Sequence, residues 1–116
     1  MIERAHFILY VRDQAASARF YRAALAREPS LDVPGMTEFH LAGGAVLGLM
    51  PQAGIESLLA GRVTAGREGN TSRAELYLLV DDVAACYERA LAAGALALDP
   101  PAPRDWGELA LSLIHI

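Results

Sequence analysis

Apolar positions near the start of the chain follow two periods, one typical of strands and one typical of a helix. In order, the predicted elements are a strand over residues 4–11, a helix over 14–26, an extended piece over 31–33, and strands over 36–41 and 45–50. Asp13 is a candidate N-cap for the helix, and Pro34 with Gly35 predicts a turn. The last two strands flank Gly43 and Gly44, which favours a hairpin. The pattern therefore predicts the order β-α-β-β-β.

The same order of elements begins again after a connector over residues 53–72. The second set consists of a strand over 74–80, a helix over 83–93 capped by Asp81 or Asp82, and a short strand over 95–98 before a proline-rich stretch. When the sequence is aligned with itself so that His6 falls on Glu75, Asp13 also falls on Asp82. We therefore interpret residues 1–52 and 73–110 as tandem modules of one domain.

The end of the chain departs from this repeat. The equivalent of the strand over 45–50 would fall at positions 114–119, so we expect the second module to lack its last strand. Residues 111–116, LSLIHI, are unlike the rest of this alanine- and arginine-rich chain and back-translate to the start of a common sequencing adapter. We expect them to be a non-native tail, which should be left out of functional reasoning.

Composition narrows the class of protein. With 116 residues and 53% hydrophobic side chains the chain can bury a core, and a single cysteine, Cys86, excludes an internal disulfide. Because no apolar run approaches the ~18 residues of a membrane span and no signal peptide is evident, we expect a cytoplasmic protein without a membrane partner. The net charge of -4 and dispersed arginines argue against nucleic acid as a partner.

Polar side chains at strand positions are the candidates for chemistry. Alternation places His6, Ile8 and Tyr10 on one face of the first strand and the apolar Phe7, Leu9 and Val11 on the other, against the helices. The repeat gives Glu75 the position of His6, and an imidazole with a carboxylate supplies two ligands of a divalent metal. Alternatively, each residue simply begins a strand near solvent. Further candidate ligand-binding residues are Tyr10, Glu38, His40, Tyr77 and Trp106, whereas no catalytic residue is predicted.

Several segments together resemble a known superfamily. They are the first-strand pattern H-x-x-L-x-V-x-D, the Phe20-Tyr21 pair in the following helix, the hairpin EFHLAGGAVLGLMP, the restart ELYLLVDDVAACYERALAAGA and the segment PPAPRDWGE. Over residues 3–110 the chain is similar to the vicinal oxygen chelate superfamily of glyoxalases, bleomycin-resistance proteins and extradiol dioxygenases. The resemblance implies an α+β fold of paired βαβββ modules, whose strands form a curved mixed sheet with the helices on its outer face.

The resemblance also implies site residues, with departures. His6 falls on a metal-ligand position, Glu75 falls where histidine is usual, and Gly48 falls where glyoxalase-like members carry glutamate or glutamine. A final glutamate ligand would lie beyond Ile116. Two functions remain open: an enzyme (a lyase, dioxygenase or transferase) using Ni, Zn, Mn or Fe on a small molecule that chelates through adjacent oxygens, or a metal-free protein that sequesters a bleomycin-like drug. An uncharacterised binder or structural module of the same fold is a third reading, and a homodimer is expected.

Overall fold

The computed structural model describes residues 1–62, 75–103 and 109–114. These residues form two compact units: residues 1–18 with 27–62, and residues 19–26 with 75–103 and 109–114. The elements are β1 (Ala5–Val11), α1 (Gln14–Leu25), β2 (Leu31–Val33), β3 (Met36–His40), β4 (Ala45–Pro51), α2 (Gln52–Leu58), α3 (Val83–Ala92), β5 (Leu96–Pro103) and β6 (Leu109–Ile114). Within the described ranges, no helix is both long and apolar enough to cross a membrane.

The first unit contains a four-stranded sheet in the order β1-β4-β3-β2. β1 runs parallel to β4, whereas β3 pairs antiparallel with both β4 and β2. The central strand β4 carries most of the core, because Val46, Leu47 and Leu49 are almost completely buried, together with Phe39 of β3. The predicted β-α-β-β-β order and the α+β class are therefore confirmed.

The N-terminus of α1 has a favourable capping residue, whereas its C-terminus has an unfavourable one. Asp13 caps it as predicted, since its Oδ1 accepts a hydrogen bond from the backbone N–H of Ala16 at 3.0 Å. The chain leaves the helix through Ala26, which adopts a left-handed φ of 53° that glycine would occupy at lower cost.

A polar cluster ties the first turn of α1 to the β2–β3 hairpin. Gln14 Nε2 donates to the carbonyl of Val33 at 2.8 Å and to Thr37 Oγ1 at 2.9 Å, while its Oε1 accepts from the N–H of Gly35 at 3.0 Å. Thr37, which is fully buried, donates in turn to Asp32 Oδ1 at 3.0 Å. This cluster fixes the hairpin on which Glu38 lies.

The second unit contains α3 and a hairpin of β5 and β6. Asp82, rather than Asp81, caps α3, because its Oδ1 accepts a hydrogen bond from the N–H of Ala85 at 3.0 Å. After the end of the helix, Gly94 adopts a left-handed φ of 106°. β5 extends through three prolines, beyond the short strand predicted over 95–98. Prolines are tolerated because, among the described residues, β5 pairs only with β6, and because its register shifts near Asp99.

One predicted strand is not formed. Residues 75–80, the described part of the predicted strand over 74–80, have no regular secondary structure. Among the described residues this segment belongs to neither sheet, and its large apolar side chains from Leu76 to Val80 are exposed. A strand is stabilised by its hydrogen-bonded neighbours, so apolar composition alone does not produce one.

Candidate functional site

The two faces of the first sheet differ in burial and in chemistry. On one face, which we call the core face, Thr37, Phe39, Leu47 and Leu49 are fully or almost fully buried. The opposite face, which we call the site face, carries His6, Ile8 and Tyr10 of β1, Val46, Gly48 and Met50 of β4, and Met36, Glu38 and His40 of β3. The candidate site residues of β1 and β3 therefore lie on the same face of the sheet.

The prediction for β1 holds only in part. Val11 is buried on the core face and Leu9 is half-buried, but Phe7 on the same face remains 59% exposed. β1 is an edge strand of this sheet, so its N-terminal half is less covered than the central strand β4.

The structure brings His6 and Glu38 together on the site face. His6 Nδ1 lies 3.5 Å from Glu38 Oε2, and the two side chains are 37% and 20% exposed. Because an ionised carboxylate only accepts hydrogen bonds, this contact would favour the form of a neutral His6 ring that carries its proton on Nδ1. In a neutral imidazole this leaves Nε2 as an acceptor.

This contact crosses an intervening strand. β1 and β3 are both neighbours of β4, and strands in a sheet lie about 4.8 Å apart, so His6 and Glu38 come from backbones roughly 9–10 Å apart. On β4, Gly48 is in register with both Glu38 and Ile8. Because glycine has no side chain, nothing on this residue separates His6 from Glu38.

Two apolar side chains approach each other over the same glycine. A Cβ atom placed on Gly48 would lie 3.2 Å from Ile8 Cγ1 and 3.3 Å from Met36 Sδ, closer than ordinary van der Waals contact. Ile8 and Met36 thus cover β4 beside the His6–Glu38 pair. We call these two side chains and Gly48 the apolar floor.

The other predicted site residues have various positions. Tyr10 is exposed on the site face, and His40 is exposed at the end of β3, where its carbonyl accepts from Arg27 Nη1 at 2.8 Å. Glu75 and Tyr77 belong to the second unit and are exposed outside any strand. Trp106 lies outside the described residues.

Sequence reasoning missed how Glu38 and Gly48 act together. Alternation put Glu38 on the same face as His40, but it did not show that β3 lies two strands from β1 with a glycine between them. A glycine inside an otherwise apolar strand marks a close approach of neighbouring groups, and it is the signal that could have found this arrangement.

The Phe20-Tyr21 pair in α1 has a packing role. The two rings meet edge to face with centroids 5.0 Å apart, and Tyr21 is 7% exposed. Burial disfavours the phenolate and raises the pKa of Tyr21 to about 12. This tyrosine is therefore a neutral packing residue at physiological pH.

Comparison with known proteins identifies the family. The sequence model of the Glyoxalase/Bleomycin resistance protein/Dioxygenase superfamily matches residues 4–111, so the chain belongs to this superfamily. A glyoxalase-related enzyme from Fulvimarina pelagi is 26% identical, with a TM-score of 0.76 over 99% of this chain and 81% of that one. A search of the curated proteins finds no match.

Two further solved structures share the fold. A hypothetical protein from S. aureus has 20% identity and a TM-score of 0.75, covering all of this chain and 88% of its own. A glyoxalase/bleomycin resistance protein/dioxygenase family enzyme from Burkholderia phytofirmans PsJN has 20% identity and a TM-score of 0.73, covering 96% of this chain and 88% of its own.

Members of this superfamily often use a divalent metal, so the donors of the first unit must be compared with a metal site. His6 and Glu38 supply one nitrogen and one carboxylate, but Gly48 supplies no donor, and its surroundings are the carbon of Ile8 and the thioether of Met36. Among the described residues, no three His, Cys, Asp or Glu side chains form a group that could hold an ion. A catalytic zinc site has at least three protein ligands, so the first unit does not fit one.

Proposed function

We propose that this chain binds an organic small molecule directly on the site face, with His6 and Glu38 as its polar contacts and without a metal ion between protein and ligand. The observation that carries the proposal is the His6–Glu38 pair, 3.5 Å apart, beside an apolar floor at Gly48, a position where the resemblance to glyoxalase-like members implies a third metal donor.

The pair adds little to folding. Both side chains remain partly exposed, and even with a charged imidazole a pair of this kind stabilises a protein by about 0–1 kcal/mol. A carboxylate and an imidazole in contact beside the apolar floor are therefore better explained by binding than by stability. Ligand sites commonly combine apolar walls with a few polar groups that fix orientation.

The surrounding side chains indicate what kind of ligand fits. Ile8, Met36 and Met50 give an apolar, deformable surface, and methionine adapts readily to different shapes. An ionised Glu38 only accepts hydrogen bonds, and a neutral His6 ring with its proton on Nδ1 would present an accepting Nε2. The site therefore favours a molecule with an apolar body and at least one hydrogen-bond donor at its edge.

A fragment screen by nuclear magnetic resonance tests the proposal. Planar aromatic fragments with and without an N–H or O–H donor, such as indole and N-methylindole, are added in the presence of EDTA. We expect the donor-bearing fragments to shift the resonances of His6, Ile8, Glu38 and Gly48 and to lose this effect in His6→Ala. Shifts confined to other residues, or binding that requires an added metal, would contradict the proposal.

A metal-dependent enzyme is the second candidate. It is favoured by the proximity of an imidazole and a carboxylate, which are both competent ligands for divalent ions. In this candidate His6 and Glu38 would supply two of the ligands, and the metal would act as a Lewis acid on a substrate that chelates through two oxygens. Stoichiometric metal that is lost in both His6→Ala and Glu38→Ala would favour it over direct binding.

A further inference from the structure

We infer that Gly48 is the positioning and specificity-determining residue of the site face, because its missing side chain lets His6 and Glu38 meet across β4. The part of this inference that concerns ligands rests on the proposed function. The part that concerns the geometry of the pair does not depend on it.

The first step is the span between the strands. Side chains from β1 and β3 must each extend over β4 to cover the roughly 9–10 Å between their backbones. Glu38 is in register with Gly48, and His6 lies two residues before Ile8, which is in register with the same glycine. A side chain on residue 48 would stand on the site face between these groups.

The second step is the space over the glycine. Even a single Cβ would meet Ile8 Cγ1 at 3.2 Å and Met36 Sδ at 3.3 Å. These side chains are partly exposed and can move by a few tenths of an ångström for alanine, but a branched side chain must displace them or separate His6 from Glu38. The effect of a substitution should therefore grow from alanine to valine.

The third step is the consequence for the ligand. With Gly48, the apolar floor and the His6–Glu38 pair lie side by side, so one flat molecule can place its ring on Ile8 and Met36 and its donor on Nε2 or on the carboxylate. With a larger residue the polar contact and the apolar contact are separated. Gly48 thus selects planar ligands that have a donor next to the ring.

The tautomer of His6 reports the pair directly. Carboxylate contact holds the proton on Nδ1, whereas a free neutral imidazole places it mainly on Nε2, and the ¹⁵N chemical shifts of the ring distinguish the two forms. We expect the Nδ1–H form in the wild type, and its loss both in Glu38→Ala and in Gly48→Val. His6→Gln assigns the signal among the three histidines.

A matched glycine provides the control. A Cβ on Gly54 of α2 would make only ordinary contacts of 3.8 Å to Pro51 and 3.9 Å to Met50, so Gly54→Ala should leave the His6 tautomer unchanged. If Gly48→Val fails to fold, the same substitution is made in an Ile8→Ala/Met36→Ala background, where the added side chain has room.

The outcomes separate the inference from the proposed function. Folded Gly48→Val that keeps the Nδ1–H form, or wild type with the Nε2–H form, overturns the positioning role. Both claims are supported if Gly48→Val loses the Nδ1–H form and binds indole as weakly as Glu38→Ala does, with no further weakening in the Glu38→Ala/Gly48→Val double variant. Loss of the form with unchanged indole binding supports the positioning of the pair but overturns the ligand claim.

Discussion

Removing the side chain of Gln14 should loosen the hairpin that carries Glu38. Gln14→Ala breaks three hydrogen bonds, to the Val33 carbonyl, to Thr37 Oγ1 and from the Gly35 N–H, of which only the Thr37 bond is part-buried. With about 0.5 kcal/mol for each exposed bond and about 1 kcal/mol for the part-buried one, the loss is about 2 kcal/mol. The higher helix propensity of alanine returns a few tenths of a kcal/mol. We therefore expect the free energy of unfolding to fall by about 1.5 kcal/mol.

Urea unfolding followed by circular dichroism measures this change, which corresponds to a decrease in Tm of about 6 °C for a domain of this size. Thr37→Val, which keeps the shape but removes the hydroxyl, completes a double-mutant cycle. Because Gln14 and Thr37 share a 2.9 Å bond, we expect a coupling energy of about 1 kcal/mol. A decrease below about 0.5 kcal/mol for Gln14→Ala, or strict additivity of the two variants, would refute the reasoning.

Three further predictions concern stability. Ala26→Gly should raise the free energy of unfolding by about 1 kcal/mol, because residue 26 has a left-handed φ of 53°; a lower urea midpoint would contradict this. Asp13→Ala and Asp82→Ala should each cost about 1 kcal/mol through loss of an N-cap, whereas Asp13→Ser should cost much less. The pKa of Tyr21 is raised in the folded state to about 12 from 10.0, so its stabilising effect is complete below pH 10 and is lost as pH rises towards 12. Between pH 9 and pH 11.5, urea unfolding should show that the free energy of unfolding falls by about 2 kcal/mol through this titration, and Tyr21→Phe should remove that part of the decrease.

The elements over residues 1–52 were largely predictable from local patterns. Residues 14–25 have a helical period with Asp13 before them, and the hairpin has glycines between two apolar runs, so each element is specified by its own residues. Residues 75–80 have an equally apolar pattern but no strand partner among the described residues, and the strand did not form. Local pattern predicts an element only where the rest of the fold supplies its neighbour.

The site was less predictable, because it depends on the order of strands. Strand alternation correctly placed His6 and Tyr10 on the face opposite Val11, but the contact between His6 and Glu38 depends on β4 lying between β1 and β3. Sequence alone does not give that order. The equivalence of His6 and Glu75 in the repeat directed attention to the second module, whereas the carboxylate nearest to His6 in the first unit comes from β3.

Metal content tests the central claim most directly. We propose that the first unit binds its ligand through His6 and Glu38 rather than through an ion, because Gly48 offers no third donor. The protein is expressed in medium supplemented with nickel, zinc, manganese and iron, purified without chelators and analysed by inductively coupled plasma mass spectrometry. We expect far less than one metal ion per chain, with no change in His6→Ala. One ion per chain in the wild type, lost in His6→Ala, would contradict the account.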